Sequence, residues 1–268
     1  MTAPSEAHAA APRPLAPTLA LTVTTRADGE RAVAEEILAL VQAKARAKQR
    51  CVLGLATGGT MVGVYAALVA LAQAQQVSFA HVASVNLDEY LGLGPGEPTS
   101  FAAFMHEHLF RHLDLANTLV PDGVRAAVDP VAVAREVEAH IAALGGIDLQ
   151  LLGLGRNGHL AFNEPGASHT SRTRVVALAR ETREDAASAF GGVDRVPRRA
   201  LTLGLGTILA ARRLRVLAFG APKAAAVAAA VRGPIRRASP ASALRLHPDV
   251  RLWVDAEAAR LVAPEARA

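Results

Sequence analysis

Two short stretches of this chain bring together side chains that can move protons. Asn86-Leu-Asp-Glu-Tyr90 puts the adjacent carboxylates of Asp88 and Glu89 at the end of an apolar run. Gly153-Leu-Gly-Arg-Asn-Gly-His-Leu-Ala-Phe-Asn-Glu-Pro165 sets His159 and Glu164 in a turn-forming segment after another. A strand-end acid is suited to general base work, and an imidazole whose tautomer is held by a carboxylate can give and take a proton. Each has a plainer explanation: the acidic pair before the Gly/Pro-rich loop Leu91–Pro98 can be a cap or a solvated turn, and a loop histidine can satisfy a carbonyl. The nearness of Glu164 in sequence favours a chemical role for His159.

A third group is suited to hold an anion. Thr57-Gly58-Gly59-Thr60 follows the apolar run Cys51–Ala56 and precedes a helical pattern with Val64, Tyr65, Leu68 and Leu71 on one face. Glycines let backbone N–H groups turn toward a ligand, the threonine hydroxyls add donors, and a helix N-terminus favours negative charge. Lys223, in a chain whose only other lysines are Lys44 and Lys48, follows a Gly-Ala-Pro turn at the start of another helix. A ligand-free turn and an ordinary surface lysine are the alternatives.

Several other chemistries are disfavoured. The threonine–glycine loop lacks the Gly-Lys-Ser/Thr ending of a nucleotide-hydrolysing loop. Gly153, Gly155 and Gly158 satisfy G-x-G-x-x-G after a strand, but Pro165 forbids the long helix that a dinucleotide site requires at the third glycine. There is no H-E-x-x-H and no cysteine pair, so neither a metal nor a cofactor is expected.

These segments need a scaffold, and alternating apolar runs and amphipathic stretches supply one. Strands are expected at Cys51–Ala56, Val82–Leu87, Ile147–Leu152, Val175–Leu178, Leu201–Leu205, Leu214–Phe219 and Val250–Val254. Helices are expected at Gly29–Lys48, Val62–Gln75, Phe101–Leu109, Pro130–Leu144, around Thr182–Ala189, and at Lys223–Val231. This is the pattern of a single doubly wound, Rossmann-like α/β domain, with a mostly parallel central sheet and helices on both faces. The 268 residues, 51% hydrophobic, suffice for one such core, read here as 18–268 behind a disordered tail over 1–17.

Charge and cysteine usage narrow the setting. The net charge of +5 rests almost wholly on arginines, in clusters without interleaved aromatics, so an anion-steering surface is favoured over a nucleic-acid face. No membrane span or signal segment stands out. A single cysteine, Cys51, in an apolar run fits a buried thiol in the cytoplasm.

Taken together, the segments resemble the glucosamine-6-phosphate deaminase (aminosugar isomerase) family. The resemblance rests on Leu53-Gly-Leu-Ala-Thr-Gly-Gly-Thr60, Asn86 to Leu93, Gly153 to Pro165, Ser171-Arg-Thr-Arg174, Leu201 to Thr207 and Gly220-Ala-Pro-Lys223, and spans the chain from about Leu21 to Ala259. It implies metal-free isomerisation of glucosamine 6-phosphate, an amino-sugar phosphate, with loss of ammonia to give fructose 6-phosphate. Asp88 would be the base that moves the proton from C2 toward C1. His159, assisted by Glu164 and Asn157, would open the pyranose ring, and Thr57, Gly58, Gly59, Thr60 and Lys223 would hold the phosphate.

The chain departs from the family pattern at one point of consequence. The helix that should supply a phosphate-binding arginine reads Asp185-Ala-Ala-Ser-Ala-Phe190, with Ser188 or Ala189 at the expected place and Arg183 as a candidate substitute. An allosteric site of some members is echoed by Arg174 but not by Ala167 and Val176. Two rival readings share the fold: a 6-phosphogluconolactonase-like lactone hydrolase, and a non-catalytic sugar-phosphate sensor. Association into a homo-oligomer is left open.

Overall fold

In a computed structural model, residues 19–262 are described. The expected tail over 1–17 lies outside the described residues. Chain order runs β1 (Ala20–Val23), α1 (Arg26–Arg46), β2 (Cys51–Leu55), α2 (Gly59–Ala74), β3 (Val82–Asn86), β4 (Asp88–Tyr90), α3 (Phe101–His108), β5 (Asn117–Leu119), α4 (Gly123–Val128) and α5 (Pro130–Ala143). It continues through β6 (Leu149–Gly153), β7 (Arg174–Ala177), α6 (Arg180–Phe190), β8 (Arg199–Thr202), α7 (Leu205–Ile208), β9 (Leu214–Ala218), α8 (Ala224–Arg232), β10 (Val250–Val254) and α9 (Ala256–Ala259).

Among the described residues, seven strands form a parallel sheet in the order β1-β10-β9-β6-β2-β3-β5. The chain steps one way through β1, β2, β3 and β5, then returns through β6, β9 and β10. Right-handed crossovers therefore put α1, α2 and α3 on one face and α5 and α8 on the other. Between β2 and β6 the connections part in opposite directions, and this switch point is where open α/β sheets leave a crevice beyond their strand ends. The sheet is buried on both faces, which explains the near-continuous apolar runs of β2, β3 and β6.

The structure corrects the strand inventory. Val175–Leu178 and Leu201–Leu205 do contain strands, but these are β7 and β8 of a separate antiparallel sheet of order β4-β8-β7. Only Leu87 separates β3 from β4, so the chain leaves the parallel sheet and enters the small one at the acidic pair. The edge strands β1 and β5 and the three-residue β4 were not anticipated, because they are short and carry little periodicity. Helix starts follow local chemistry: Thr25 caps Asp28 N, Ser100 caps Ala103 N, and Asp129 caps Ala132 N ahead of Pro130.

Candidate active site

The loops that follow β2, β6 and β9 meet over the switch point and enclose a pocket of about 530 Å³. Thr57, Gly58, Gly59 and Thr60 line it from one side, His159 from another, and Lys223 and the helix α6 from a third.

The threonine–glycine loop and Lys223 line the same pocket. Gly58 has φ +104°, a conformation that favours glycine, and it begins α2 without any side-chain cap. The N-terminus of this 16-residue helix is thus left for a ligand, with open space above both Gly58 and Gly59. The side chain of Lys223, half-buried in the same pocket, has no ion-pair or hydrogen-bond partner among the described residues. Burial holds its ammonium below the usual lysine range, against the opposing pull of Asp185. An uncapped helix start facing an unpaired ammonium is suited to bind a phosphate.

His159 and Glu164 come together, but not directly. The Nδ1–Oε2 separation is 3.7 Å, beyond a hydrogen bond, and Asn157 stands between them. A carboxylate oxygen can only accept, so Asn157 must present Nδ2 to Glu164 Oε2, at 2.9 Å. Its Oδ1 then faces His159, accepting the backbone N–H at 3.1 Å and standing 2.8 Å from Nδ1. The imidazole proton therefore sits on Nδ1, and Nε2 keeps its lone pair. Burial lowers the His159 pKa, Glu164 raises it and Lys223 lowers it, with a net displacement downward that favours the neutral ring.

Two glycines of the G-x-G-x-x-G pattern, Gly155 and Gly158, serve this loop. A methyl at Gly155 would overlap the His159 ring, and Gly158 has φ +84°. No helix forms between Leu154 and Thr173, in keeping with Pro165.

The acidic pair divides its labour. Glu89 is the cap: its Oε1 accepts from Tyr90 N and Phe101 N and its Oε2 from Ala102 N, anchoring the start of α3. Burial raises its pKa to about 7 despite those three bonds. Asp88 accepts no hydrogen bond among the described residues and is 5% exposed. Burial first, and Glu89 second, hold its carboxyl well above the usual range, which makes it a strong base when ionised. Asp88 is not itself in the pocket lining, whereas Tyr90 of the same strand is. Asp88 is tied to the histidine loop through Thr202, its β8 partner, whose Oγ1 accepts from Phe162 N at 3.2 Å. Tyr90, Phe101, Phe162 and Phe190 pack with ring centroids 4.8–5.9 Å apart and give the pocket an apolar side.

Three groups escaped the sequence reading. Thr182 on α6 donates to Glu164 Oε1 at 2.6 Å and lies 3.4 Å from His159 Nδ1, while Ala179 N adds a second bond to the same carboxylate oxygen. Arg156 and Asp185 pair at the pocket's edge, with Nε and Oδ1 3.1 Å apart. No local signal marks these residues, since each acquires its partner from a distant segment. Arg174 faces away from this chemistry and buttresses the loop by donating to Asn163 Oδ1 at 3.0 Å. Arg183 does not line the pocket.

A larger cavity of about 880 Å³ lies on the other side of α3. Its acidic groups are already engaged: Glu89 by three N–H groups, Glu107 by Arg111, and Asp122 as the cap of α4. Among the described residues no cluster of three or more histidine, cysteine or acidic side chains could hold a metal ion, and no helix is long and apolar enough to cross a membrane.

Residues 24–253 match the family model described as glucosamine-6-phosphate isomerases/6-phosphogluconolactonase. The glucosamine-6-phosphate deaminase of Hahella chejuensis is 47% identical over 239 residues, covering 87% of this chain and 89% of that protein. Glucosamine-6-phosphate deaminase 1 of Bacillus subtilis is 46% identical over 216 residues, covering 80% and 88%. A solved monomeric glucosamine-6-phosphate deaminase superposes with a TM-score of 0.86 at 40% identity, over 91% of this chain and all of that one. The 6-phosphogluconolactonase of Trypanosoma cruzi superposes at 0.74 with 20% identity over 93% of this chain and 98% of that one, a likeness of fold alone.

Proposed function

From the membership of this chain in the glucosamine-6-phosphate isomerase/6-phosphogluconolactonase family, we propose that it converts glucosamine 6-phosphate and water to fructose 6-phosphate and ammonia. The observation that carries the reading is the pocket itself. It sets an uncapped helix N-terminus and an unpaired Lys223 within one cavity with an imidazole whose Nε2 lone pair is free. The buried base Asp88 lies two residues from Tyr90, which lines the same pocket.

Each group has a task. Thr57, Gly58, Gly59, Thr60 and Lys223 hold the phosphate and fix the length of sugar that reaches His159. Neutral His159 takes the C1 hydroxyl proton on Nε2 and delivers a proton to the ring oxygen, so the pyranose opens. The passing imidazolium is supported by the Asn157 oxygen and, through Asn157, by Glu164. Asp88 removes the C2 proton of the open chain and returns it to C1 while a proton passes from the amino group to O1, leaving an imine at C2. Water adds to that imine and ammonia departs. The deaminases of Hahella chejuensis and Bacillus subtilis and the solved monomeric deaminase stand at 40–47% identity, whereas the 6-phosphogluconolactonase of Trypanosoma cruzi stands at 20%, so lactone hydrolysis is the weaker reading. A sensor without catalysis would have no use for the buried base.

In this reading residues 18–268 are one catalytic unit working in the cytoplasm. The test is ammonia release from glucosamine 6-phosphate, galactosamine 6-phosphate and both free amino sugars, with 6-phosphogluconolactone as a control, in the presence of a chelator. Activity confined to an amino-sugar phosphate and untouched by the chelator is expected. Lactone hydrolysis without ammonia release would overturn the assignment.

A further inference from the structure

α6 lacks an arginine at Ser188, yet an arginine from a different segment stands just outside the pocket lining and is joined to it through Asp185. Arg156, in the loop after β6, points its guanidinium at α6: Nε lies 3.1 Å from Asp185 Oδ1, and Nη2 lies 3.2 Å from Glu184 Oε2 and 3.3 Å from the Glu181 carbonyl. Asp185 itself lines the pocket beside Lys223, Ser188 and the threonine–glycine loop.

A carboxylate in a pocket otherwise built for an anion works against a phosphate dianion unless it can be displaced. The structure shows why displacement is cheap. The Arg156 Nε is buried and lies close to Asp185, but the pair lacks hydrogen-bond alignment, so its N–H is an unused donor. Glu184 is also held by Arg180 Nε at 2.9 Å, so α6 keeps its surface pairing when Asp185 lets go. Burial first, and the charge of Arg156 with it, hold the Lys223 ammonium below the usual lysine range against the pull of Asp185. A guanidinium offers phosphate a two-pronged fork of donors that an ammonium does not.

We infer that Arg156 is a phosphate-recognising residue of this site, standing in for the arginine absent at Ser188, and that Asp185 is an internal carboxylate the substrate phosphate displaces from it. The inference rests on the assignment of the threonine–glycine loop and Lys223 to the phosphate.

The experiment measures kcat and KM for glucosamine 6-phosphate, and inhibition by inorganic phosphate, in Arg156→Gln, Arg156→Lys, Asp185→Asn, the Arg156→Gln/Asp185→Asn pair and Lys223→Ala. Loss of one charge-assisted contact should raise KM and the phosphate inhibition constant of Arg156→Gln by about 10- to 100-fold, with kcat nearly kept and a smaller loss in Arg156→Lys. Asp185→Asn should lower both constants, and that gain should vanish in the double variant. If Arg156 only tethers α6, Arg156→Gln and Asp185→Asn cut the same tether and shift KM in the same direction, which overturns the inference. A Lys223→Ala enzyme with weakened phosphate inhibition beside an unaffected Arg156→Gln enzyme also overturns it, while leaving the phosphate site in place. If neither substitution changes phosphate inhibition, the phosphate-site reading itself fails.

Discussion

The imidazole of His159 and the carboxylate of Glu164 are 3.7 Å apart and communicate only through the amide of Asn157, which accepts on one side and donates on the other. An amide cannot take up a proton here, so the bridge transmits orientation and polarisation but no proton. Glu164, fixed by Asn157, Thr182 and Ala179, acts as the anchor of the arrangement.

Replacing Asn157 with Asp puts a carboxylate against both neighbours. Negative charge beside His159 raises its pKa, so the neutral imidazole is lost at a higher pH on acidification. The acid limb of the kcat/KM profile should move up by about one unit. An unchanged limb with unchanged turnover would show that His159 is not the group titrating there.

Asp88→Asn should lower kcat by about 10²–10⁴ while leaving KM nearly as it was, because a base acts mainly in the transition state. The same change should stabilise the protein. Burial raises the pKa of Asp88 and takes Glu89 to about 7, so folding favours their protonated forms. Their contribution is fully present below the unfolded carboxylate range and is lost as pH rises through the folded values. Asp88→Asn removes one of these charges, and its melting temperature at pH 8 should exceed that of the parent by at least about 2 °C, with little difference at pH 4. A lower melting temperature at pH 8 would mean that the Asp88 charge is paid for by a contact outside those described.

Gly155→Ala tests the close approach of the loop to its own histidine. The added methyl meets the imidazole ring, which must shift away from Asn157. Turnover of the closed pyranose should fall by about 10²-fold, the effect expected for misplacing a catalytic group by about 1 Å, with the circular dichroism spectrum unchanged. A preserved rate on the closed sugar would place ring opening elsewhere.

Arg215 tests stability away from the site. Its guanidinium, 1% exposed on β9, is clasped by Glu36 of α1 at 2.6 and 2.7 Å and by Asp249 at 2.8 Å. Arg215→Ala leaves Glu36 and Asp249 only their longer contacts with Arg213 and Arg251, at 3.8–4.0 Å, and should cost up to about 3 kcal/mol in denaturant unfolding. The triple change to Met at Arg215 with Leu at Glu36 and Asn at Asp249 should recover most of that loss, because an apolar replacement needs no desolvated charge. Equal losses in both proteins would show that packing of the arginine stem, not its charge, is what matters.

Much of this was readable from local pattern. Parallel strands buried on both faces write continuous apolar runs, so β2, β3, β6, β9 and β10 were located within a residue or two, and the turn chemistry after β2 and β6 marked the residues of the pocket. The edge strands β1 and β5 were not legible, being short and half-exposed, and β7 and β8 carried runs that do not reveal which sheet they join.

The sequence alone names the candidate groups: the adjacent carboxylates of Asp88 and Glu89, the imidazole of His159, the Thr57–Thr60 loop and Lys223. Only the tertiary structure decided how they share the work. Capping, burial and bridging depend on contacts between segments far apart in the chain. Glu89 became a cap because α3 starts against it, leaving Asp88 without a hydrogen bond. Asn157 became the link because the loop's turn holds His159 and Glu164 too far apart to touch. Arg156 met Asp185 because the loop after β6 and the helix α6, 25 to 29 residues apart in sequence, close on the same pocket.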